Sequence, residues 1–184
     1  RLLDVIKDEF DRNGRSDINA IQALLLFNIG NSELTAGELR SRGIETEISM
    51  RPVDAWTLVA SYAYADATII EDTNTMIVGN RLAGVPRHQA SLWTSWTFDG
   101  ALSGLMIGGG VFHGSEQAAT TANNFFLPSY TRLDLNARYA FGNQVELLLN
   151  LDNVTDERYY ITGGFSQIYP QPPRSVRLTL TKRW

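Results

Sequence analysis

The stretch NLDNVTDERYYITGGFSQIYPQPPRSVRLTLTKRW, residues 150–184, decides the fold. Its last part alternates. Val176, Leu178, Leu180 and Trp184 fall on one side of an extended chain, and Arg177, Thr179, Thr181 and Arg183 on the other, because strand side chains point to opposite faces with period two. One face suits an apolar surrounding and the other suits water. Lys182 interrupts the apolar side, although its long stem lets the ammonium reach an interface. The first part, Asn150 to Tyr160, is dense in Asn and Asp, which close turns on their own backbone.

Reading back from that ending gives about seven strands, each close to the roughly 9–11 residues that a tilted membrane strand needs. They cover Ile44–Arg51, Trp56–Ala67, Arg87–Phe98, Gly104–Gly114, Tyr130–Phe141, Gln144–Asn153 and Arg174–Trp184. Alternation is clearest where Thr131, Leu133, Leu135, Ala137, Tyr139 and Phe141 oppose Arg132, Asp134, Asn136 and Arg138. Leu148, on the polar side of the next strand, is an exception. The connections run short and long in turn: 52–55, 68–86, 99–103, 115–129, 142–143 and 154–173. Tight turns at one end and long loops at the other are the asymmetry of membrane barrels. Trp56, Phe98, Phe141 and Trp184 are expected to form a girdle at the short-turn end, and Tyr62, Tyr64, Phe112 and Tyr130 one at the long-loop end.

Composition narrows the classes. A net charge of −4 over 184 residues disfavours a general nucleic-acid surface, and the absence of cysteine removes disulfides, thiol nucleophiles and cysteine metal sites. No run of 18 apolar residues occurs, so a membrane role has to come from strands. A secreted barrel needs a leader, and none precedes Arg1; the chain is therefore expected to be a fragment or a fusion.

Residues 1–43 follow a different pattern. Leu2, Leu3, Ile6 and Phe10 have helical spacing, Ser16 or Asp17 can cap a second helix through Phe27, and Thr35 can cap a short third helix over Ala36–Ser41. The expected organisation is a helix-turn-helix-like head, 1–43, followed by mainly β, antiparallel up-and-down strands of a partial transmembrane β-barrel, 44–184.

Five stretches, Leu39–Glu47, Leu82–Trp93, Leu127–Asp134, Asn150–Tyr160 and Pro173-Arg174, carry a resemblance. In this order and spacing, residues 37–184 resemble the carboxyl-terminal barrel of TonB-dependent outer-membrane receptors, especially the ferric-siderophore branch. The resemblance implies a many-stranded barrel around an amino-terminal plug, which binds an iron chelate outside and admits it when the TonB complex pulls on the plug's end. It also implies residence in the outer membrane and contact with its lipid and with the barrel-assembly machinery. That machinery recognises a last strand such as this one, so Leu178, Leu180 and Trp184 are the expected assembly signal. Seven strands alone leave two open edges in lipid, so the chain as given is not expected to transport.

The head, through Ser16–Gly30 and Glu33–Leu39, resembles the start of a MarR-type winged-helix regulator, whose next helix enters the DNA major groove. Here strand follows Gly43, so sequence-specific DNA binding is not implied. The two resemblances overlap over Ala36–Gly43, where a chimera is expected to be joined; a divergent receptor with a helical outer loop is the alternative. A DNA-binding regulator and a soluble β-barrel with an apolar interior also stay open as functions.

No serine, histidine and acid arrangement, phosphate loop or zinc motif stands out, so no catalytic, cofactor-binding or metal residue is assigned and the chain is read as no enzyme. Gly108-Gly109-Gly110 suits a closely packed strand. His113 near a long loop keeps a heme-ligand role open, but a polar rim residue is the commoner case for it and for His88. The Asn150–Tyr160 acids are read as a turn rather than a calcium site, lacking the spacing of a calcium loop. Ligand contacts are expected from the long loops, such as Glu71–Arg81 and Glu116–Phe126, without a choice among their residues.

Overall fold

The computed structural model describes residues 38–142, 144–163 and 167–183. Seven long strands form one sheet: β1 (Glu38–Val53), β2 (Trp56–Glu71), β3 (His88–Thr97), β4 (Leu105–Gly114), β7 (Tyr130–Phe141), β8 (Val145–Asp152) and β11 (Ser175–Lys182). Each pairs antiparallel with the next long one along the chain, in the order β1-β2-β3-β4-β7-β8-β11. The sheet is an up-and-down meander, and it is not closed: β1 and β11 are its edges among the described residues. Four short strands lie in the long loops, β5 (Gln117–Ala118) with β6 (Phe126–Leu127), and β9 (Tyr160–Gly163) with β10 (Gln167–Pro170).

Alternation becomes two continuous surfaces because directly opposed residues share a face. One row runs across all seven strands as Met50, Leu58, Thr94, Gly109, Leu135, Leu151 and Val176. The neighbouring row on the other face runs Thr57, Ser95, Gly108, Asn136, Asn150 and Arg177. The apolar face is uncovered: Ile44 is 66% exposed, Leu178 65% and Leu180 68%. A water-soluble sheet buries such a face, since each large aliphatic side chain gains about 1.5–3 kcal/mol on leaving water.

The expected head meets the sheet earlier than its local pattern suggests. Glu38–Ser41, read as the end of a capped helix, are strand, paired with β2 through Leu39–Ile69, Arg40–Thr68 and Ser41–Ala67. Ladder hydrogen bonds to a long partner outweigh a helical preference that amounts to only tenths of a kcal/mol per residue. The two longer head helices, over 2–10 and 16–27, lie outside the described residues. So does Trp184.

The long-loop girdle is half as expected. Tyr62 and Tyr64 lie in the apolar rows, opposite Thr46 and Ile44, but Phe112 and Tyr130 have the other parity, opposite Arg132 and Gly114, and lie on the polar face. At the other end Trp56 and Trp96 pair directly on the apolar face, with ring centroids 6.5 Å apart, and Phe141 joins that face at 53% exposure. The indole of Trp56 donates to the Thr94 hydroxyl at 2.8 Å.

The polar face is kept flat by glycine. A Cβ on Gly110 would stand 2.4 Å from the Trp93 ring, and one on Gly108 would stand 2.5 Å from Asn136 Oδ1. The small residues on β4 thus make room for large neighbours on β3 and β7, as the expected close packing requires.

Candidate ligand-facing surface

The three long connections do not stand apart. Past β2 the chain turns over a 3-10 helix (Thr75–Ile77) and comes back along the same strand, with Gly79 donating to the Ile69 carbonyl at 2.7 Å and Leu82 to the Ala67 carbonyl at 2.9 Å. Arg81 is then held by the second loop. Its backbone N–H donates to Asn123 Oδ1 at 2.8 Å and its carbonyl accepts from Asn123 Nδ2 at 2.8 Å. Asn123 imitates a strand neighbour, and its φ of 53° is one that Asn tolerates better than most residues. The Arg81 guanidinium meets the Glu116 carboxylate at 3.4 Å and lies 5.6 Å from the Phe126 ring centroid. The third loop closes on the second through Thr162 Oγ1, which donates to the Ala119 carbonyl at 3.1 Å.

Apolar residues fill the space between. Ile69, Leu82, Ala118, Ala119 and Leu127 are all buried, and Leu39 and Val85 pack against Ala67 and Leu82. The segments expected to meet ligand, Glu71–Arg81 and Glu116–Phe126, therefore meet each other first. Met76, 86% exposed, and Phe125, 53% exposed, are left at the surface.

Below this cap the polar face carries an ionic network around an open cleft of about 440 Å³. Arg132 pairs with Asp134 at 2.9 Å, donates to the Tyr159 hydroxyl at 3.0 Å, and lies 4.7 Å from the Phe112 centroid. Tyr159 in turn stacks on Tyr130 at 4.2 Å. Asp152 accepts from Ser175 at 3.2 Å and pairs with Arg177 at 3.4 Å. Two arginines face two aspartates, so the cleft wall is electrically balanced. Among the described residues, Arg132 Nε and Asn136 Oδ1 are buried without a hydrogen-bond partner. That leaves hydrogen-bonding capacity on this face.

The Asn150–Tyr160 stretch leaves β8 at Asp152 and turns over residues 153–159 before β9. Asn153, 1% exposed with φ 54°, donates from Nδ2 to the carbonyls of Glu157 at 2.9 Å and Pro172 at 3.2 Å, and accepts the Glu157 N–H at 2.9 Å. Its own N–H donates to Asp134 at 2.8 Å. Asp156 accepts the Arg174 N–H at 3.0 Å, so the acids hold the two ends of the third loop to β7 and β11.

Both histidines belong to the apolar face at its long-loop end. His113 opposes Thr131 and bonds its hydroxyl at 2.9 Å; His88 bonds the Tyr62 hydroxyl at 2.9 Å and lies 5.2 Å from the Tyr64 ring. Neither lies in the rows that face the cleft. Among the described residues no three His, Asp or Glu side chains are grouped as a metal site needs. Leu178 and Leu180 lie on the apolar side of β11, opposite Leu149 and Leu147.

Up-and-down strands with one apolar and one polar face, tight turns at one end and interlocked loops at the other, define a stretch of β-barrel wall. The family model for the TonB dependent receptor-like β-barrel matches residues 4–154, and the chain belongs to that family. It is 36% identical over 151 residues to the metal-pseudopaline receptor CntO of Pseudomonas aeruginosa, covering 80% of this chain and 21% of that protein. It is 39% identical over 130 residues to the ferrichrome outer membrane transporter/phage receptor of Escherichia coli, covering 67% of this chain and 17% of that protein. Among solved structures, the ferric preacinetobactin receptor BauA of Acinetobacter baumannii superposes with a TM-score of 0.74 at 26% identity, over 79% of this chain and 22% of that one. The chain thus spans about a fifth of the length of these relatives. The family match starts at residue 4 and runs through the head and the 36–43 stretch.

Proposed function

We propose that the chain is part of the wall and outer loops of an outer-membrane receptor that binds a ferric siderophore or a related metal chelate and admits it with energy from the TonB complex. The apolar face meets lipid, the polar face looks inward to a plug, and the long loops face outside. The observation that carries this is the sorting of the sheet into two faces, since an uncovered aliphatic surface across seven strands is stable in a bilayer and not in water. Arg132 Nε and Asn136 Oδ1, without a partner among the described residues, support an inner domain packing on the polar face. The names of the relatives support the substrate class.

The test is uptake. The complete receptor gene containing this segment, placed in cells stripped of their own siderophore receptors, is expected to restore accumulation of a labelled iron chelate. The same gene with 72–87 and 115–129 replaced by short turns is expected to keep the protein in the outer membrane and lose the uptake. No uptake of any of a panel of hydroxamate, catecholate and carboxylate chelates rejects the reading.

Leu178, Leu180 and Trp184 are read as the signal to the barrel-assembly machinery. Deleting Trp184 from that receptor is expected to lower outer-membrane insertion, and unchanged insertion removes the role. For residues 1–43 the family match supports receptor sequence; the regulator-like head rests on spacing outside the described residues. One unbroken receptor reading frame across the codons for 36–43 would exclude a chimera. For a soluble β-barrel, the decisive outcome is a monodisperse monomer without detergent.

A further inference from the structure

We propose that the three long loops are a fixed sector of the receptor's mouth, which does not part when a chelate enters. This deepens the uptake reading above and rests on it, since that reading puts the loops at the outer end. The described parts of the loops form one arch with the wall beneath them, anchored at both feet.

One foot is β2. Beyond Tyr64, the last residue of β2 paired with β3, the returning first loop takes over the β3 side. Ala65 N–H donates to the Arg87 carbonyl at 2.9 Å, Leu82 N–H to Ala67 at 2.9 Å, Ile69 N–H to Asn80 at 3.0 Å and Gly79 N–H to Ile69 at 2.7 Å. The other foot is the start of the third loop. Val154 N–H donates to the Leu133 carbonyl at 2.7 Å, Asn153 N–H to Asp134 at 2.8 Å, and Tyr159 is held between Arg132 and Tyr130.

The second loop joins the two. On the side of the first loop, Asn123 exchanges two bonds of 2.8 Å with the Arg81 backbone, Asn80 Nδ2 donates to the Thr121 carbonyl at 2.9 Å, and Gly84 N–H donates to the Ala118 carbonyl at 3.0 Å. On the side of the third loop, Thr162 Oγ1 donates to the Ala119 carbonyl at 3.1 Å. A Cβ on Gly84 would stand 2.9 Å from Thr162 Cγ2, so all three loops meet at one point.

Parting the first two loops breaks four of these bonds at once. Each alone favours the joined state about fivefold, so four together hold the parted state near one molecule in six hundred, before the burial of Ala118 and Ala119 is counted. A chelate shifts that balance only by binding the parted state more tightly. Met76 and Phe125, exposed on the joined loops, are open to a ligand without any parting.

The test places Asn80→Cys and Thr121→Cys in the complete receptor, with any other thiol replaced, and joins them with a short reducible bis-methanethiosulfonate linker. Cross-linked receptor is expected to take up labelled ferric hydroxamate, catecholate or carboxylate chelate within twofold of the same receptor after reduction. A larger loss that reductant restores overturns the fixed sector. No uptake by either form, or by the unaltered receptor, overturns the receptor reading instead, and a distance measurement then decides the loops. Nitroxides on the same two cysteines, in bilayers, are expected to show one narrow distance population, unchanged by the diamagnetic gallium(III) forms of the chelates. A second, longer population overturns the proposal. Asn123→Ala in this background leaves one of the four bonds, and is expected to put about one molecule in six into such a longer population. Its absence there would show that these bonds do not hold the arch and would overturn it too. Heat-modified migration on gels checks that each variant is a folded barrel.

Discussion

Leu180 in the sheet is 68% exposed and Leu127 in the loops is 2% exposed, and the two regions they belong to are built on opposite terms. The sheet has regular hydrogen bonding, and the aliphatic side chains of its apolar face point to a surrounding that has to be supplied. The loops have little regular structure, yet they hold buried aliphatic side chains and a dense set of side-chain to backbone bonds. Loops over a barrel mouth usually lose order because water competes for their backbone groups. Here Arg81, Asn123 and Thr162 satisfy those groups from the neighbouring loop, so the cap behaves as one packed unit. A binding surface made of it is preorganised, which lowers the ordering cost of capturing a ligand.

Four tests break or sharpen this contrast, the largest expected effect first. Leu149→Arg, in the middle of the apolar side of β8, is expected to cost about 3 kcal/mol in reversible unfolding from bilayers, whereas Asn150→Arg next to it on the polar face costs about 0.5 kcal/mol. Equal costs would mean that the two faces see the same solvent. Asn153→Ala is expected to cost about 2.5 kcal/mol by denaturant titration, because it strips three part-buried side-chain bonds and puts Ala at a positive φ. Amide exchange should rise over 153–174 and not in β2 or β3; a uniform rise would show that the turn is not a local staple.

Gly110→Ala is expected to cost about 2 kcal/mol by forcing Trp93 aside, with a shift in tryptophan emission as the direct readout. Unchanged emission and stability would mean that the polar face has slack there. Asn123→Ala is expected to cost about 1–2 kcal/mol and to raise exchange in 79–84 as well as 116–127, since one side chain serves both loops. Exchange confined to the second loop would show that the loops move separately.

Much of the sheet was legible because a barrel wall repeats one rule. Each of the seven strands was found within a few residues, except that β1 begins at Glu38 and β2 runs on to Glu71. Those extensions have no local mark: Glu38–Ser41 reads as a helix end until a partner strand is present. The Asn150–Tyr160 turn was legible as a turn, because Asn and Asp at strand ends carry their own hydrogen-bonding chemistry. Phe112 and Tyr130 were assigned to the wrong surface by treating height along the strand as sufficient, when parity decides the face.

The candidate ligand surface was legible only as two intervals, Glu71–Arg81 and Glu116–Phe126. Their mutual contact is absent from sequence spacing, since Arg81 and Asn123 are 42 residues apart and neither side chain belongs to a recognisable motif. The sequence by itself determined the strand count, the alternation of loop lengths and the two-faced wall, because each depends on period-two patterning and local turn chemistry. Only the tertiary structure decided which loops interlock and which aromatics turn inward, because these depend on register between strands distant in sequence.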